Sequence, residues 1–225
     1  GRGGIENQQL KNYIQMKNYI QMKRSIQIIL FLAQVLLAYL LFESIMKPIR
    51  FNREKDIRYK AAIAKLIDIR KAQVAYKAKY GRYASNFTDL INYVKNDSLP
   101  VVRAVGDVPD SLTEKEALKL GIIIRDTIRV SVLDTIFSPQ YPIDSLPYVP
   151  YTLGDTFRMG AGEIETGSKV KVKVFEASVT NDVLLKGLDE QLIVNFSDMR
   201  MKVVKFPGLK VGSLTEANNN AGNWE

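Results

Sequence analysis

The chain has 225 residues, of which 46% are apolar, carries a formal net charge of +8, and contains neither Cys nor His. The lack of Cys excludes disulfides, thiolate metal sites and thiol nucleophiles. The lack of His excludes Ser-His-Asp hydrolysis and most zinc chemistry. Only carboxylate or lysine chemistry remains open to an enzyme of this composition, so we expect a non-enzymatic protein.

The positive charge lies on both sides of a single apolar segment. Residues 47–82 contain twelve Lys or Arg and three acidic residues, and residues 1–24 contain five Lys or Arg and one Glu. Lys and Arg that adjoin a membrane span are attracted to anionic headgroups. We therefore expect the lipid bilayer as a partner, and we expect no nucleic acid.

That apolar segment, residues 25–46, reads SIQIILFLAQVLLAYLLFESIM. As a helix it would be about 33 Å long, which matches a hydrocarbon core of about 30 Å. It is longer than the apolar region of a signal peptide, and no small-x-small cleavage site follows it. We predict a retained transmembrane helix. Its orientation stays open, because the positive-inside rule favours a cytoplasmic C-terminal side but is weak for long translocated domains.

Three polar residues interrupt the predicted span. Gln27 and Gln34 are seven positions apart, so they share one helix face, where each could form a hydrogen bond with a neighbouring helix. Glu43 lies near the far end of the span. It either reaches the interface or pairs with a cation of a partner subunit, since ionisable groups in spans usually have a function. We predict membrane helix contacts at these three positions.

A long amphipathic helix is predicted after the span, from about residue 52 to residue 80, with Pro48 as a break between the two. Gly81 suits the position just past a helix end. A short second helix follows, with Asn86 as its N-cap and Asp89 three residues later. The apolar residues of the long helix recur at steps of three and four and predict one packing stripe: Tyr59, Ile63, Leu66, Ile69, Ala72, Tyr76 and Tyr80.

Three short motifs in this region resemble a known family. They are Ile69-Arg-Lys-Ala-Gln-Val-Ala-Tyr76, Tyr80-Gly-Arg-Tyr83 and Phe87-Thr-Asp-Leu90. They resemble the stem of type IV pilin-like proteins and are most similar to the major pseudopilins of type II secretion systems, over about residues 25–95. The resemblance implies anchoring in the bacterial inner membrane, an exported head, and assembly with copies of itself or other subunits through helix packing.

The resemblance leaves other functions open. The family's prepilin peptidase site, a Gly before Phe or Met with Glu five residues later, is not found before Ser25. An accessory subunit that docks to an envelope machine or the cell wall without polymerising is therefore the alternative, and a carboxylate-based enzyme is the least favoured. We expect no cofactor. Calcium is the one ion that the resemblance allows, because many major pseudopilins bind it in their heads.

The calcium ligands, and hence the metal-site residues, are unknown from the sequence. Several acidic residues of the distal region could supply carboxylates, but none has the spacing of an EF-hand loop: Asp107, Asp110, Asp126, Asp134, Asp144 and Asp155.

The distal region predicts a β-rich head. Residues 111–114 form a capping box for a helix that ends at Leu120. Strands are predicted at residues 122–132, 169–175, 192–196 and 201–206. Four prolines at residues 138–150 predict an ordered loop or a boundary between subregions. In residues 169–175 Val and Lys alternate. We interpret this segment as an edge strand whose lysines face solvent, with an anionic or headgroup surface as the alternative.

The predicted fold class is α+β: a transmembrane helix that continues into a long amphipathic helix, followed by a β-rich head with an antiparallel sheet or a sandwich. The predicted segments are a cytoplasmic N-terminal segment at 1–24, the span at 25–46, the helical stem at 47–98, the head at 99–217 and a polar tail at 218–225. The head is expected in the periplasm or outside the cell.

Overall fold

The structure is a computed structural model that describes residues 2–105, 113 and 124–225. Its first element is a helix, α1 (Arg2–Tyr80). The chain divides into an N-terminal unit, Gly1–Arg53, and a C-terminal unit, Glu54–Glu225. The predicted break at Pro48 is wrong, because the helix continues through this residue. Proline removes one hydrogen bond, to the carbonyl four residues earlier, and long helices can accommodate that loss.

Among the described residues, one helical segment is long and apolar enough to cross a membrane. It lies within Tyr13–Tyr80, near the N-terminus, and none of its most apolar 18-residue stretch is buried inside the protein. A core helix of a soluble protein would be mostly covered by its own chain. The length and composition of this helix are thus compatible with a membrane anchor.

The long helix ends where the sequence predicted. Gly81 has φ +69°, in the left-handed region that favours glycine, and its amide donates to the Lys77 carbonyl oxygen at 2.8 Å. Helix α2 (Phe87–Asn96) follows. The predicted N-cap is confirmed, because the Asn86 side chain accepts a hydrogen bond from the Asp89 amide at 2.8 Å. The end of α1 and the start of α2 are therefore both fixed by local hydrogen bonds.

A two-stranded antiparallel sheet comes next. It pairs β1 (Ser98–Val105) with β2 (Ile124–Ser131), and Ser98 lies opposite Ser131. The strand prediction for residues 122–132 is confirmed from 124 to 131, and a short helix, α3 (Val132–Ile136), begins directly after it. The predicted capping box and helix at residues 111–120 lie outside the described residues.

A proline-rich loop joins the two sheets. It contains one 3₁₀ turn, Ile143–Ser145, so the loop prediction for residues 138–150 is confirmed. The second sheet has three antiparallel strands in the order β3 (Arg158–Glu165), β4 (Lys171–Thr180) and β5 (Gly208–Gly212). β4 is the central strand of this sheet, but its residues 171–175 pair with β3 alone, because the pairing with β5 begins at Glu176. Lys171 and Lys173 are exposed, so the interpretation as an edge strand with solvent-facing lysines is confirmed for residues 171–175.

Two helices lie between β4 and β5, namely α4 (Asn181–Leu184) and α5 (Glu190–Val204). The strands predicted at 192–196 and 201–206 are therefore wrong. The side chain of Asp189 caps α5, since its Oδ1 accepts from the Leu192 amide at 3.1 Å. A cap of this kind favours a helix over a strand from the same short apolar runs.

The core of the C-terminal unit combines side chains from the stem, several short helices and the three-stranded sheet. Its largest fully buried apolar side chains come from the stem part of α1, from α2, α3 and α4, from the proline-rich loop and from the three-stranded sheet: Phe175, Leu66, Ile69, Leu90, Leu146, Leu184, Leu185, Leu209, Val94, Val132 and Val211. The α+β class is thus confirmed, with a long N-terminal apolar helix followed by small antiparallel sheets.

Candidate functional site on the apolar helix and stem

The apolar helix presents its side chains to the outside around its whole circumference. Every residue from 25 to 46 is exposed except Glu43 and Met46, which are half-buried. With 3.6 residues per turn, Gln34 lies about 20° from Gln27 around the axis, whereas Glu43 lies about 160° away. The two glutamines therefore share one face, and Glu43 occupies the opposite face.

Glu43 has a partner within its own helix. Its Oε1 lies 2.5 Å from Nη2 of Arg50, two turns further on, with 32% and 56% of the two side chains exposed. The predicted alternatives were the membrane interface and a cation of another subunit. Arg50 comes from the basic segment that follows the predicted span, so the carboxylate is charge-compensated without a second chain.

The predicted packing stripe of the stem is used mostly inside the C-terminal unit. Leu66, Ile69 and Ala72 are fully buried, and Tyr76 is 6% exposed. Ile63 and Tyr59 are half-buried. Tyr80, the last residue of the stripe, is 47% exposed. Most of this stripe therefore holds the stem to its own head.

At the start of the C-terminal unit, Tyr59 anchors the stem to two helices. Its hydroxyl donates to Oδ1 of the fully buried Asn181, and Asn181 Nδ2 donates to Ser197 Oγ at 3.1 Å. The Tyr59 ring packs edge-on against Phe196 of α5, with 5.5 Å between centroids. Burial raises the pKa of Tyr59 well above its ordinary value. The hydroxyl thus stays protonated and remains a donor at physiological pH.

At the other end of the stem, three tyrosines form a cluster. Tyr76 lies 4.6 Å from Tyr80 and 5.3 Å from Tyr93, between ring centroids, and the Tyr93 hydroxyl donates to the Ala75 carbonyl oxygen at 3.0 Å. Burial, with a smaller contribution from the nearby Asp97, raises the pKa of Tyr93 to about 12. The cluster attaches α2 to the end of α1.

Asp97 joins two groups beside this cluster. It pairs with the Lys79 ammonium and accepts from the Tyr80 hydroxyl at 2.9 Å. The hydrogen bond from Lys79 holds the pKa of Asp97 below its usual value, and the same contact raises the pKa of Lys79. Tyr80 therefore has a defined polar role although almost half of it is exposed.

A residue that the sequence reasoning missed lies at the centre of this region. Gln73 is fully buried on the stem. Its Nε2 donates to the Ala84 carbonyl oxygen at 2.8 Å and lies 3.2 Å from Met159 Sδ, and its Oε1 accepts from the Ala84 amide at 2.9 Å. Gln73 is four residues after Ile69 and seven after Leu66. Its place on the apolar stripe was the available signal of a buried polar role.

Tyr83, the last residue of the second motif, contacts the polar tail. Tyr83 is 5% exposed, and its ring lies 4.8 Å from that of Phe175 in β4. Its hydroxyl accepts from Asn220 Nδ2 at 2.9 Å. Nearby, Arg70 Nη1 lies 2.6 Å from Glu225 Oε1, which lowers the pKa of that carboxyl. Residues 218–225 are thus connected to the stem.

Metal binding finds no support in the part of the chain that the structure describes. Its side chains include no group of three or more acidic residues placed to hold an ion. Asp107 and Asp110, and the side chain of Asp126, lie outside the described residues. Asp144 is paired with Lys95 at 2.7 Å, and Asp155 lies 3.8 Å from Lys186.

No family model, curated protein or solved structure matches this chain.

Proposed function

We propose that this protein is a non-enzymatic, single-pass membrane protein that resembles the pilins and acts by assembly. Its apolar helix would pack against helices of other copies or of related subunits in a secretion or pilus-like apparatus of the cell envelope. The lipid bilayer would be its second partner. The resemblance of residues 25–95 to the stem of major pseudopilins suggests the apparatus, and the exposed apolar helix suggests the mechanism.

The single observation that carries the proposal is the exposure of residues 25–46. Large apolar side chains here are half exposed or more, for example Phe31 at 64% and Leu41 at 65%. Burying such a side chain contributes roughly 1.5–3 kcal/mol, so the helix gains much from lipid. In lipid, helices associate through close packing and interhelical hydrogen bonds. The face of Gln27 and Gln34 offers such bonds.

The pair of Glu43 and Arg50 fits the same proposal. A lone carboxylate at a helix interface in a membrane would be costly to desolvate. Because Arg50 lies 2.5 Å from Glu43 on the same helix, the pair adds no net charge to a packed bundle. The pair is on the face opposite to the glutamines and near the end of the span. One helix could therefore pack its glutamine face against a neighbouring helix while the pair lies at the headgroups.

The stem supports assembly in a different way. Its packing stripe is covered by its own head, so the surface left for neighbours is the span together with the outward face of the stem. That outward face is basic, with exposed Lys60 and Lys71. We therefore propose that contacts between copies concentrate in the apolar helix, and that the stem faces are kept apart by like charge.

We propose the bacterial inner membrane as the location, with the C-terminal unit in the periplasm or outside the cell. Protease treatment of spheroplasts tests the orientation. Loss of the C-terminal unit before lysis is the expected result. Protection until lysis would place this unit in the cytoplasm and would overturn the envelope location.

Cysteine cross-linking tests assembly cleanly, because the chain has no Cys of its own. Ala38 lies about 20° from Gln27 around the helix axis, and Leu36 lies about 180° away. We expect Ala38→Cys to form disulfide-linked dimers in intact membranes under mild oxidation. The matched variant Leu36→Cys should form several-fold fewer. Both changes are at lipid-exposed apolar positions, so expression and insertion should be alike.

The outcome separates the two classes of function. Dimers at Ala38 with few at Leu36 support assembly through the glutamine face. Monomers at both positions, with the protein recovered in mild detergent together with a different protein in fixed ratio, would instead identify a non-polymerising accessory subunit. More disulfide-linked dimers at Leu36 than at Ala38 would still support assembly but would overturn the role of the glutamine face.

A further inference from the structure

A rigid loop at residues 147–157 projects large apolar side chains into solvent. Its base is closed by backbone hydrogen bonds, from the Val149 amide to the Asp155 carbonyl and from the Phe157 amide to the Pro147 carbonyl, each 2.8 Å long. Val149 and Phe157 are each 3% exposed and fix the base to the core. The loop is thus held in place from both ends, so its tip has a defined position.

The tip of this loop is unusually apolar for a surface. At the tip, Tyr151 is 63% exposed and Leu153 is fully exposed, and Tyr148 beside the base is 51% exposed. Tyr151 has φ +63°, a backbone conformation that costs a tyrosine free energy and that persists only where the surroundings hold it. Tyrosines with one wet end and an apolar body are enriched where proteins meet the membrane–water interface.

The loop adjoins the place where the chain enters the C-terminal unit. Lys186 Nζ lies 3.8 Å from Asp155 Oδ2 in the loop, and the Lys186 carbonyl oxygen accepts from Arg58 Nη1 at 3.0 Å. The Lys186 side chain is 73% exposed. An exposed ion pair at this distance is weak, so the Lys186 ammonium beside the tip remains accessible to an anionic surface.

A second exposed apolar row adjoins the same part of the stem. Helix α5 packs on Tyr59 through Phe196, and Lys55 Nζ lies 4.8 Å from that ring. Elsewhere on α5, Met199 is 51% exposed and Val203 is 74% exposed. Helix α5, which packs on the first part of this unit, thus also carries exposed apolar side chains.

The chain itself limits how far this region can be from the bilayer. Arg58 follows residue 46, the end of the proposed span, by twelve positions, so the two are within about 40 Å even in a fully extended chain. Headgroups occupy several ångströms beyond the hydrocarbon core. We propose, as an inference that rests on the proposed membrane anchoring, that the tip of the 147–157 loop, together with Lys186, docks on the anionic headgroup surface of the same membrane.

The test uses the full-length protein with one introduced cysteine, reconstituted as a single copy per lipid nanodisc. Leu153→Cys carries an environment-sensitive fluorophore, and nitroxide-labelled lipid serves as the quencher. Ser168→Cys is the control. Ser168 lies in the turn between β3 and β4. The neighbouring β4 residues Val172 and Lys173 line a cavity together with Tyr83, which follows the end of the stem that is far from Arg58.

In nanodiscs with an anionic lipid such as phosphatidylglycerol, we expect a blue-shifted emission at position 153 and strong quenching by the nitroxide lipid, with neither at position 168. Lys186→Glu, added to the labelled Leu153→Cys protein, should weaken the contact by fivefold or more, because each cation near an anionic surface contributes about fivefold in binding. Equal melting temperatures of the labelled variants confirm that the fold is intact.

Two results would overturn the inference. The first is a signal at position 153 that equals the control at position 168 in anionic nanodiscs. The second is protection of position 153 only in densely loaded vesicles, which would assign the tip to contacts between protein copies. Resistance to alkaline extraction reports on the anchor separately, so a failed anchor and a failed docking loop give different results.

Discussion

The side chain of Gln73 and the peptide groups of Ala84 form a reciprocal pair of hydrogen bonds, 2.8 and 2.9 Å long, in a fully buried site. The glutamine amide offers one donor and one acceptor, as a β-strand neighbour would. It therefore satisfies the peptide groups of Ala84 in the turn that follows the stem. Ala84 comes directly after the Tyr80–Tyr83 motif, so this contact helps to hold the end of the stem against the head.

Gln73→Met tests this contact. Methionine keeps the volume but leaves the Ala84 amide and carbonyl without their partner. Since each buried unsatisfied group costs about 1–3 kcal/mol, we expect a loss of about 2–4 kcal/mol in the free energy of unfolding, measured by urea denaturation. Gln191→Met, on the exposed side of α5, is the matched control and should change stability by less than about 0.5 kcal/mol. Equal effects at both positions would contradict the assignment.

Tyr93 gives the protein a sensitivity to high pH. Its pKa is raised to about 12 in the folded state, mainly by burial. The ordinary value is 10.0, so the unfolded chain releases this proton first. The stabilisation is complete below pH 10 and is lost as the pH rises towards 12. We expect the difference in melting temperature between Tyr93→Phe and the unsubstituted protein to be smaller at pH 11 than at pH 8. At pH 8 the loss of the hydrogen bond to Ala75 dominates this difference. A difference independent of pH would argue against this.

Asp97 makes the stability of the protein depend on pH at the acid end as well. The hydrogen bond from Lys79 lowers its pKa below the ordinary value of 3.8. Its contribution to stability is thus present above that value and disappears as the pH falls through the lowered one. The melting temperatures of Asp97→Asn and the unsubstituted protein should therefore differ at pH 7 and converge near pH 2. The exposed Asp134→Asn is the control, and its difference should be small at both values.

Gly208 is required by a close approach of two strands. A Cβ at this position would lie closer than 3.0 Å to the Val179 carbonyl oxygen, which is backbone of the central strand and cannot move aside. We expect Gly208→Ala to destabilise the protein by more than about 3 kcal/mol or to prevent folding. Gly167, in the turn between β3 and β4, has open space around its Cβ position. Gly167→Ala should leave the melting temperature almost unchanged, and a comparable loss at both glycines would refute this explanation.

Local signals predicted the helical part of the fold well. Asn86 and Gly81 act through hydrogen bonds and backbone angles within a few residues, so their roles can be read from neighbouring positions. The strands were harder. Leu192 and Val203 lie in short apolar runs that fit a strand or a helix equally, and the outcome depended on the cap at Asp189. The central position of β4 depends on β5, which is 28 residues further along the chain.

The candidate site shows the same division. The periodicity of the stem predicted that Leu66, Ile69 and Ala72 share a face, and all three are buried. It could not show that this face would be covered by the protein's own head. Glu43 was recognised as unusual from its position, but its partner Arg50 was not identified, because a basic segment offers several equivalent cations. The reciprocal contact of Gln73 was missed, because its partner is a backbone group.

The connection of the tail to the stem affects the order in which this protein can be made. Arg70 contacts Glu225, and the Asn223 amide donates to the Lys210 carbonyl oxygen of β5 at 3.0 Å, so these closing contacts of the C-terminal unit form only when residues beyond 220 are available. Those residues are synthesised roughly 10–35 s after residue 46, at 5–20 residues per second. During that interval the apolar helix is already complete while the head is still open. Under the proposed membrane anchoring, contact with the insertion machinery would therefore precede folding, and a ribosome that stalls before residue 220 would leave an inserted chain without a closed head.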